Sequence, residues 1–252
     1  MIGIVGGVGP YAGLDLLEKV FDQTRAATDQ QHLDVALLSL PGAIADRTEF
    51  LSGRVADNPA EAIVRVILKL AAVGAEVIGI PCNTAHSPRI FDAIRGGLQE
   101  ASSGVHLVHM IEEVGRFMAE HLGHVRTVGV LSTTGTYRAG VYPEVLAPLG
   151  LRVVVPDEDV QSRTVHRAIY DEGFGIKAHP RPVTGEAMGL LDEAIGRLRR
   201  DGAEAIVLGC TELPLAVREA RIGDTVLVDA NWVLARALIR EAAPDKLKGL
   251  DF

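Results

Sequence analysis

The segment 74-GAEVIGIPCNT-84 returns 128 positions later as 202-GAEAIVLGCTE-212, with Gly, Ala, Glu, Ile and Cys at matching places. The opening 1-MIGIVGG-7 lies in the same way over 127-TVGVLST-133, at an offset of 126. A drift of two between the offsets is a change in loop length. A chain that repeats itself at this distance must use one supersecondary plan twice, so it reads as two copies of a single unit, each with a cysteine at the same topological place. The plain alternative is chance likeness between two Gly-Ala-strand segments.

The local pattern says what that unit is. Short apolar runs at 1–5, 34–40, 76–80, 105–110, 127–131, 151–155, 205–209 and 225–229 read as strands. Between them lie amphipathic stretches that read as helices, among them 10–27, 59–73, 112–122, 184–200 and one from 231. Strand–helix alternation of this kind predicts parallel sheets covered on both faces. The expected fold is therefore α/β: two pseudo-symmetric parallel-sheet α/β domains with the active site at their interface. The expected division is 1–108 plus 226–252, carrying Cys82, and 109–225, carrying Cys210, with the final helix returning to the first domain.

Bulk properties narrow the function. The 252 residues are 48% apolar, enough for a sizeable core. A net charge of −8 makes nucleic acid and anionic membrane poor partners. The apolar start MIGIVGG lacks a basic flank and reads as a first strand, not a signal peptide. No apolar run approaches the roughly 20 residues that span a bilayer. A cytoplasmic protein is expected, and in that compartment the two cysteines are not expected to form a structural disulfide.

In open parallel sheets ligands bind beyond the carboxyl ends of the strands, and both cysteines fall at that edge. Each also precedes an expected helix start, where unpaired N–H groups favour a thiolate. A single such cysteine reads first as a small buried hydrophobe. Two at equivalent repeat positions, each followed by polar residues, suggest opposed thiols acting on one carbon. One thiolate would remove a proton from one face and the other thiol would return a proton to the opposite face, because an ordinary thiol pKa of about 8.5 is within reach of neutrality in both directions. His86, four residues after Cys82, reads either as a neighbour of the site or as a solvent-facing helix residue.

Two further motifs argue against cofactors. Gly7-Val8-Gly9-Pro10-Tyr11-Ala12 matches a dinucleotide fingerprint, but the second strand ends in Ser39-Leu40-Pro41 without the acid that would hold a ribose. The loop reads instead as a substrate-side or small-anion loop, with Val8 and Tyr11 shaping a wall. The eight histidines show no metal-ligand spacing. Neither a cofactor nor a metal is expected.

The segments PCNTAH and GCTELP resemble the paired cysteine signatures of the aspartate/glutamate racemase superfamily. The likeness extends to GGVGP at the start, DRT at 46–48, STTGT at 132–136 and GIKA at 175–178. It is strongest toward cofactor-independent aspartate racemases and related amino-acid racemases. The resemblance implies that Cys82 and Cys210 are the two acid/base residues. It implies that Asn83, Thr84, Thr133 and Thr211 hold the α-carboxylate and amino group. Arg47 and Lys177 resemble the family's contacts to a side-chain carboxylate, and an acidic substrate suits them. Lys177 sits in 172-EGFGIKAHPRP-182, which reads as a loop and a candidate lid. The segment 39-SLPGAIA-45 departs from the Asn-rich stretch of aspartate-specific members and leaves the side-chain length of the substrate open. The resemblance also implies a homodimer. Two other functions fit the same features: a maleate-type cis–trans isomerase using one cysteine covalently, and a non-catalytic binder of a small dicarboxylate or amino acid.

Overall fold

The protein is described by a computed structural model over residues 1–250. The chain divides into two compact units, residues 1–113 with 231–252, and Val114–Ala230. The first unit holds a four-stranded sheet built from β1 (Ile2–Gly6), β2 (Val35–Ser39), β3 (Val77–Gly79) and β4 (His106–Leu107), in the order β2-β1-β3-β4. The second holds β5 (Thr127–Ser132), β6 (Arg152–Val154), β7 (Ala205–Gly209), β8 (Arg221–Ile222) and β9 (Thr225–Asp229), in the order β6-β5-β7-β9-β8. The order β6-β5-β7-β9 repeats β2-β1-β3-β4, all parallel. The antiparallel β8 is an addition at the edge of the second. The repeated segments thus mark a repeated topology.

The inner strands β1, β3, β5 and β7 are short, apolar and buried on both faces, as sheets covered by crossover helices require, while the edge strands β2, β4, β6 and β8 are partly exposed. In the first unit Pro10 and Pro59 sit in the opening turns of the helices Pro10–Gln23 and Pro59–Ala72, where a missing N–H costs nothing. Asn58 caps the second of these by accepting from the Ala60 N–H. Ile63, Val66, Ile67 and Leu70 from that helix meet Val5, Ile78 and Ile80 in the first core. In the second unit Leu191, Ala194, Ile195 and Leu198 of the helix Gly185–Arg200 meet Leu131, Ile206 and Leu208.

Two chain segments depart from expectation. The strand Thr225–Asp229 does not join the first sheet. It pairs with β7, Val226 beside Ala205 through Asp229 beside Leu208, so the units divide after Ala230 and only the helix Ala230–Ala242 with the tail belongs to the first. Periodicity reveals a strand but not the sheet that receives it. At the other junction the division falls after Glu113, inside the helix Met110–His121, and not between 108 and 109. Among the described residues no helix is long and apolar enough to cross a membrane.

The repeat has a steric cause. A Cβ added to Gly3 would lie 2.5 Å from Ile78 Cδ1, 2.8 Å from Ala75 Cβ and 3.4 Å from Leu70 Cβ. A Cβ added to Gly129 would lie 2.9 Å from Leu198 Cδ1, 3.0 Å from Ile206 Cγ1 and 3.2 Å from Ala203 Cβ. The three neighbours correspond pair by pair across the repeat. In each unit the first strand carries glycine because a helix leucine, a small alanine and a strand isoleucine already fill the space over it.

The alanine variants Gly3→Ala and Gly129→Ala are each expected to destabilise by about 1–3 kcal/mol, the usual range for overpacking. Urea denaturation should show a lowered midpoint in both. Unchanged midpoints in both would show that these contacts do not constrain the sheets.

Candidate active site

In the first unit Cys82 lies three residues past β3 and opens a one-turn 3-10 helix over Asn83–His86. Its backbone is extended, and its carbonyl accepts from the Ala85 N–H at 3.1 Å. Cys82, Asn83 and Thr84 are all buried, so the turn gathers three of the expected site residues on consecutive positions. His86 is buried too, only 1% exposed, and its Nδ1 donates to the Cys82 carbonyl at 2.9 Å. The solvent-facing alternative for His86 is thereby overturned. Burial, helped by the neighbouring His109, lowers the imidazole pKa to about 3, so the ring is neutral.

Arg47 stands at the same edge of this unit. Asp46 caps the short helix Arg47–Leu51 through the Thr48 and Glu49 N–H groups, and Glu49 pairs with Arg54. Arg47 itself is only 7% exposed, so it is not a surface residue. Its guanidinium is buried and donates to the Val8 carbonyl at 2.8 Å and the Ala45 carbonyl at 3.1 Å. The glycine-rich loop after β1 supplies the first of these acceptors. Gly7 has φ +86, and a Cβ there would come within 2.7 Å of the Leu40–Pro41 peptide. Close approach of β2's end accounts for this glycine. Tyr11 is exposed and Val8 is buried.

In the second unit β5 and β7 run level, Ser132 beside Gly209, so Thr133 and Cys210 leave adjacent strands together. Thr133 caps the helix Thr134–Ala139 by accepting from the Thr136 N–H at 3.3 Å, and it is buried. Gln161, in a π-helical turn over Gln161–His166, donates to the Ser132 carbonyl at 2.9 Å and fixes the end of β5. Tyr142 packs over Gly209, whose added Cβ would lie 2.8 Å from its ring.

Cys210 and Thr211 are buried, and Glu212 beside them is only 6% exposed. The Cys210 thiol donates to Glu212 Oε2 at 3.0 Å, and Lys177 Nζ donates to Glu212 Oε1 at 2.6 Å. One carboxylate thus bridges a thiol and an ammonium. Burial pushes the Cys210 thiol well above its usual range and the Glu212 charge adds to this, while the Lys177 charge opposes it. Burial lowers the Lys177 pKa, but the Glu212 carboxylate and its other neighbours outweigh that and raise it overall, so the side chain is charged. Glu212 went unnoticed in the sequence. A Glu two residues after the second cysteine, where the first copy has Thr84, was the available signal.

Two expectations, on the helix starts and on the lid, are corrected. The helix starts after the cysteines are short: a 3-10 turn, and the four-residue helix Leu213–Ala216 beginning three residues beyond Cys210. So little helix supplies little macrodipole, and at Cys210 the surroundings favour the thiol rather than the thiolate. Lys177 is engaged with Glu212 inside its own unit. The candidate lid 172–182 is anchored at its centre: Gly175, Ile176 and Lys177 donate to the carbonyls of Asp171, Ala168 and Ile169 at 2.7, 2.8 and 3.1 Å. Phe174 and Ile176 are part of the second core, and a Cβ at Gly175 would meet the Asp171 backbone at 2.6 Å. Close packing holds Lys177 in place.

The charge arrangement fixes the sign of two changes. Glu212→Gln should lower the pH at which Cys210 becomes reactive, and Lys177→Met should raise it. Alkylation of the Cys210-containing peptide by iodoacetamide across pH, read by mass spectrometry, checks both. The opposite order would show that Glu212 and Lys177 do not set the thiol's proton affinity.

Residues 5–238 match the family model described as Asp/Glu/hydantoin racemase. The chain is 26% identical over 246 residues to the broad specificity amino-acid racemase RacX of Bacillus subtilis (strain 168), covering 95% of this chain and 96% of that one. Among solved structures, the aspartate racemase of Picrophilus torridus superposes with a TM-score of 0.80 at 28% identity, over 98% of this chain and 95% of the other. An aspartate racemase homologue from Pyrococcus horikoshii OT3 gives a TM-score of 0.70 at 25% identity, over 96% and 98%.

Proposed function

The chain belongs to the Asp/Glu/hydantoin racemase family and is an amino-acid racemase, and we propose that it inverts an acidic amino acid by proton exchange between Cys82 and Cys210. The observation that carries this reading is the matched release of one buried cysteine from the third strand of each of two sheets with the same strand order. The reading requires both thiols to address one α-carbon. In one direction a thiolate removes the α-proton, leaving a carbanion whose charge spreads into the carboxylate. The opposite thiol then delivers its own proton to the other face, and the configuration inverts with no net redox change.

The second half-site is built for the donor role at rest. Cys210 carries its proton and directs it at Glu212. For the reverse direction the same bond provides an exit. The proton passes from Sγ to Glu212 Oε2, leaving a thiolate beside a neutral acid, with Lys177 holding the carboxyl group in place. Lys177 is thus better read as a partner of this thiol than as a direct contact to the substrate. Asn83, Thr84, Thr133 and Thr211 are the groups proposed to hold the α-carboxylate and ammonium. Arg47, whose planar fork is fixed by two carbonyls, is the cation proposed to meet the distal carboxylate. The names of the structural relatives, two of them aspartate racemases or homologues, support an acidic substrate. No cofactor is part of the proposal.

A racemisation screen over the proteinogenic amino acids, resolved by chiral chromatography, should give its highest rate with aspartate or glutamate. On that substrate Cys82→Ala and Cys210→Ala should each lower racemisation by at least about a hundredfold, the usual worth of a positioned acid or base. Full activity in either variant would exclude the two-thiol scheme.

A further inference from the structure

His86 takes no part in the proton exchange, yet it is built into the turn that carries Cys82. Its ring is stacked on Phe91, with centroids 5.0 Å apart and planes 24° from parallel. His109 closes on it edge-on at 4.8 Å. Held between these rings, Nδ1 lies 2.9 Å from the Cys82 carbonyl, and a carbonyl can only accept, so this bond requires hydrogen on Nδ1. The Val108 carbonyl also acts on the ring. The corresponding position after Cys210 is Pro214, which has no side-chain donor. There the sulfur itself is held, by Glu212. The two copies use different means to aim their thiols: a carboxylate on the sulfur in the second, an imidazole on the peptide carbonyl in the first.

We propose that His86 is a positioning residue for Cys82, whose Nδ1–H bond fixes the Cys82 peptide plane and thereby the line along which that thiol meets the substrate's α-carbon. The torsion that turns the carbonyl also turns it relative to the Cα–Cβ bond. A clamped carbonyl therefore means a clamped Cα–Cβ direction, the axis about which the sulfur takes one of its staggered positions. The inference rests on the two-thiol reading. Misplacing a reacting group by about 1 Å can cost on the order of a hundredfold in rate.

The test separates a positioning role from a merely structural one. His86→Phe keeps a ring between Phe91 and His109 but removes the donor. His86→Asn loses the ring but returns an amide donor near the position of Nδ1. Each is assayed in both directions with α-deuterated L and D forms of the amino acid selected by the racemisation screen. Deuterium on the substrate slows only proton removal. A defect confined to Cys82 must raise the isotope effect in the direction where Cys82 removes the proton. It must lower the effect in the other direction, where proton return by Cys82 becomes limiting. Cys82→Ser identifies which direction is which. The expected result is that His86→Phe lowers kcat by about tenfold to a hundredfold, with the same opposed isotope shifts as Cys82→Ser, and that His86→Asn recovers most of the rate and the wild-type isotope effects. Equal losses in both variants with no opposed shift would overturn the proposal, as would a His86→Phe enzyme with unchanged rate and isotope effects. A Cys82→Ser enzyme without opposed shifts would mark a failure of the two-thiol reading itself, and this inference would fall with it.

Discussion

Parallel pairing of the first strand with the third decides where everything else in each unit can go. In the first sheet Ile2, Gly3 and Ile4 run beside Val77, Ile78 and Gly79. In the second Val128 to Ser132 run beside Ala205 to Gly209. That register delivers a glycine-rich loop and a cysteine turn to one edge in the first unit, and a threonine cap and a cysteine turn to one edge in the second. The pairing is tight because glycine on the first strand leaves room for a leucine, an alanine and an isoleucine in both copies. A fold that repeats this packing presents its thiols from equivalent places, which is what a reaction on two faces of one carbon calls for.

The copies have diverged where chemistry rather than packing rules. After Cys210 the polar groups act on sulfur: Glu212 accepts a hydrogen bond from the thiol and Lys177 neutralises Glu212. After Cys82 they act on the backbone, through the Ala85 N–H and the His86 ring. The buried charges of the second half-site are tolerable because they are paired and hydrogen-bonded; a carboxylate this deep without Lys177 would carry a large desolvation cost. The neutral imidazole of the first half-site avoids that cost altogether. A racemase handles mirror-image substrates with a chiral protein, so identical supports for the two thiols are not a requirement.

Much of this was legible in the sequence. The strands 205–209 and 225–229 fall where apolar runs and turn signals put them, and the repeated segments mark the shared topology. What stayed hidden was decided by distant partners. Whether 225–229 joined the first or second sheet depended on pairing with β7, which periodicity does not encode. Glu212 has no local signature of its role, because the lysine that neutralises it is 35 positions earlier in a segment that reads as a loop. That segment is anchored at its centre because Phe174 and Ile176 enter the core, a packing fact with no local signature. His86 was ambiguous because its spacing of four from Cys82 suits a long helix as well as a 3-10 turn, and only the turn folds the ring back onto the cysteine carbonyl.

The account's central claim is that separate thiols serve the two faces of the α-carbon. Racemisation in D2O, followed by NMR of both enantiomers during the first few per cent of reaction, tests it most directly. Two thiols predict deuterium at the α-carbon of the product enantiomer from the earliest turnovers, with the remaining substrate enantiomer still carrying hydrogen. Product that retains the substrate's own hydrogen, or deuterium entering both enantiomers at equal rates, would contradict it.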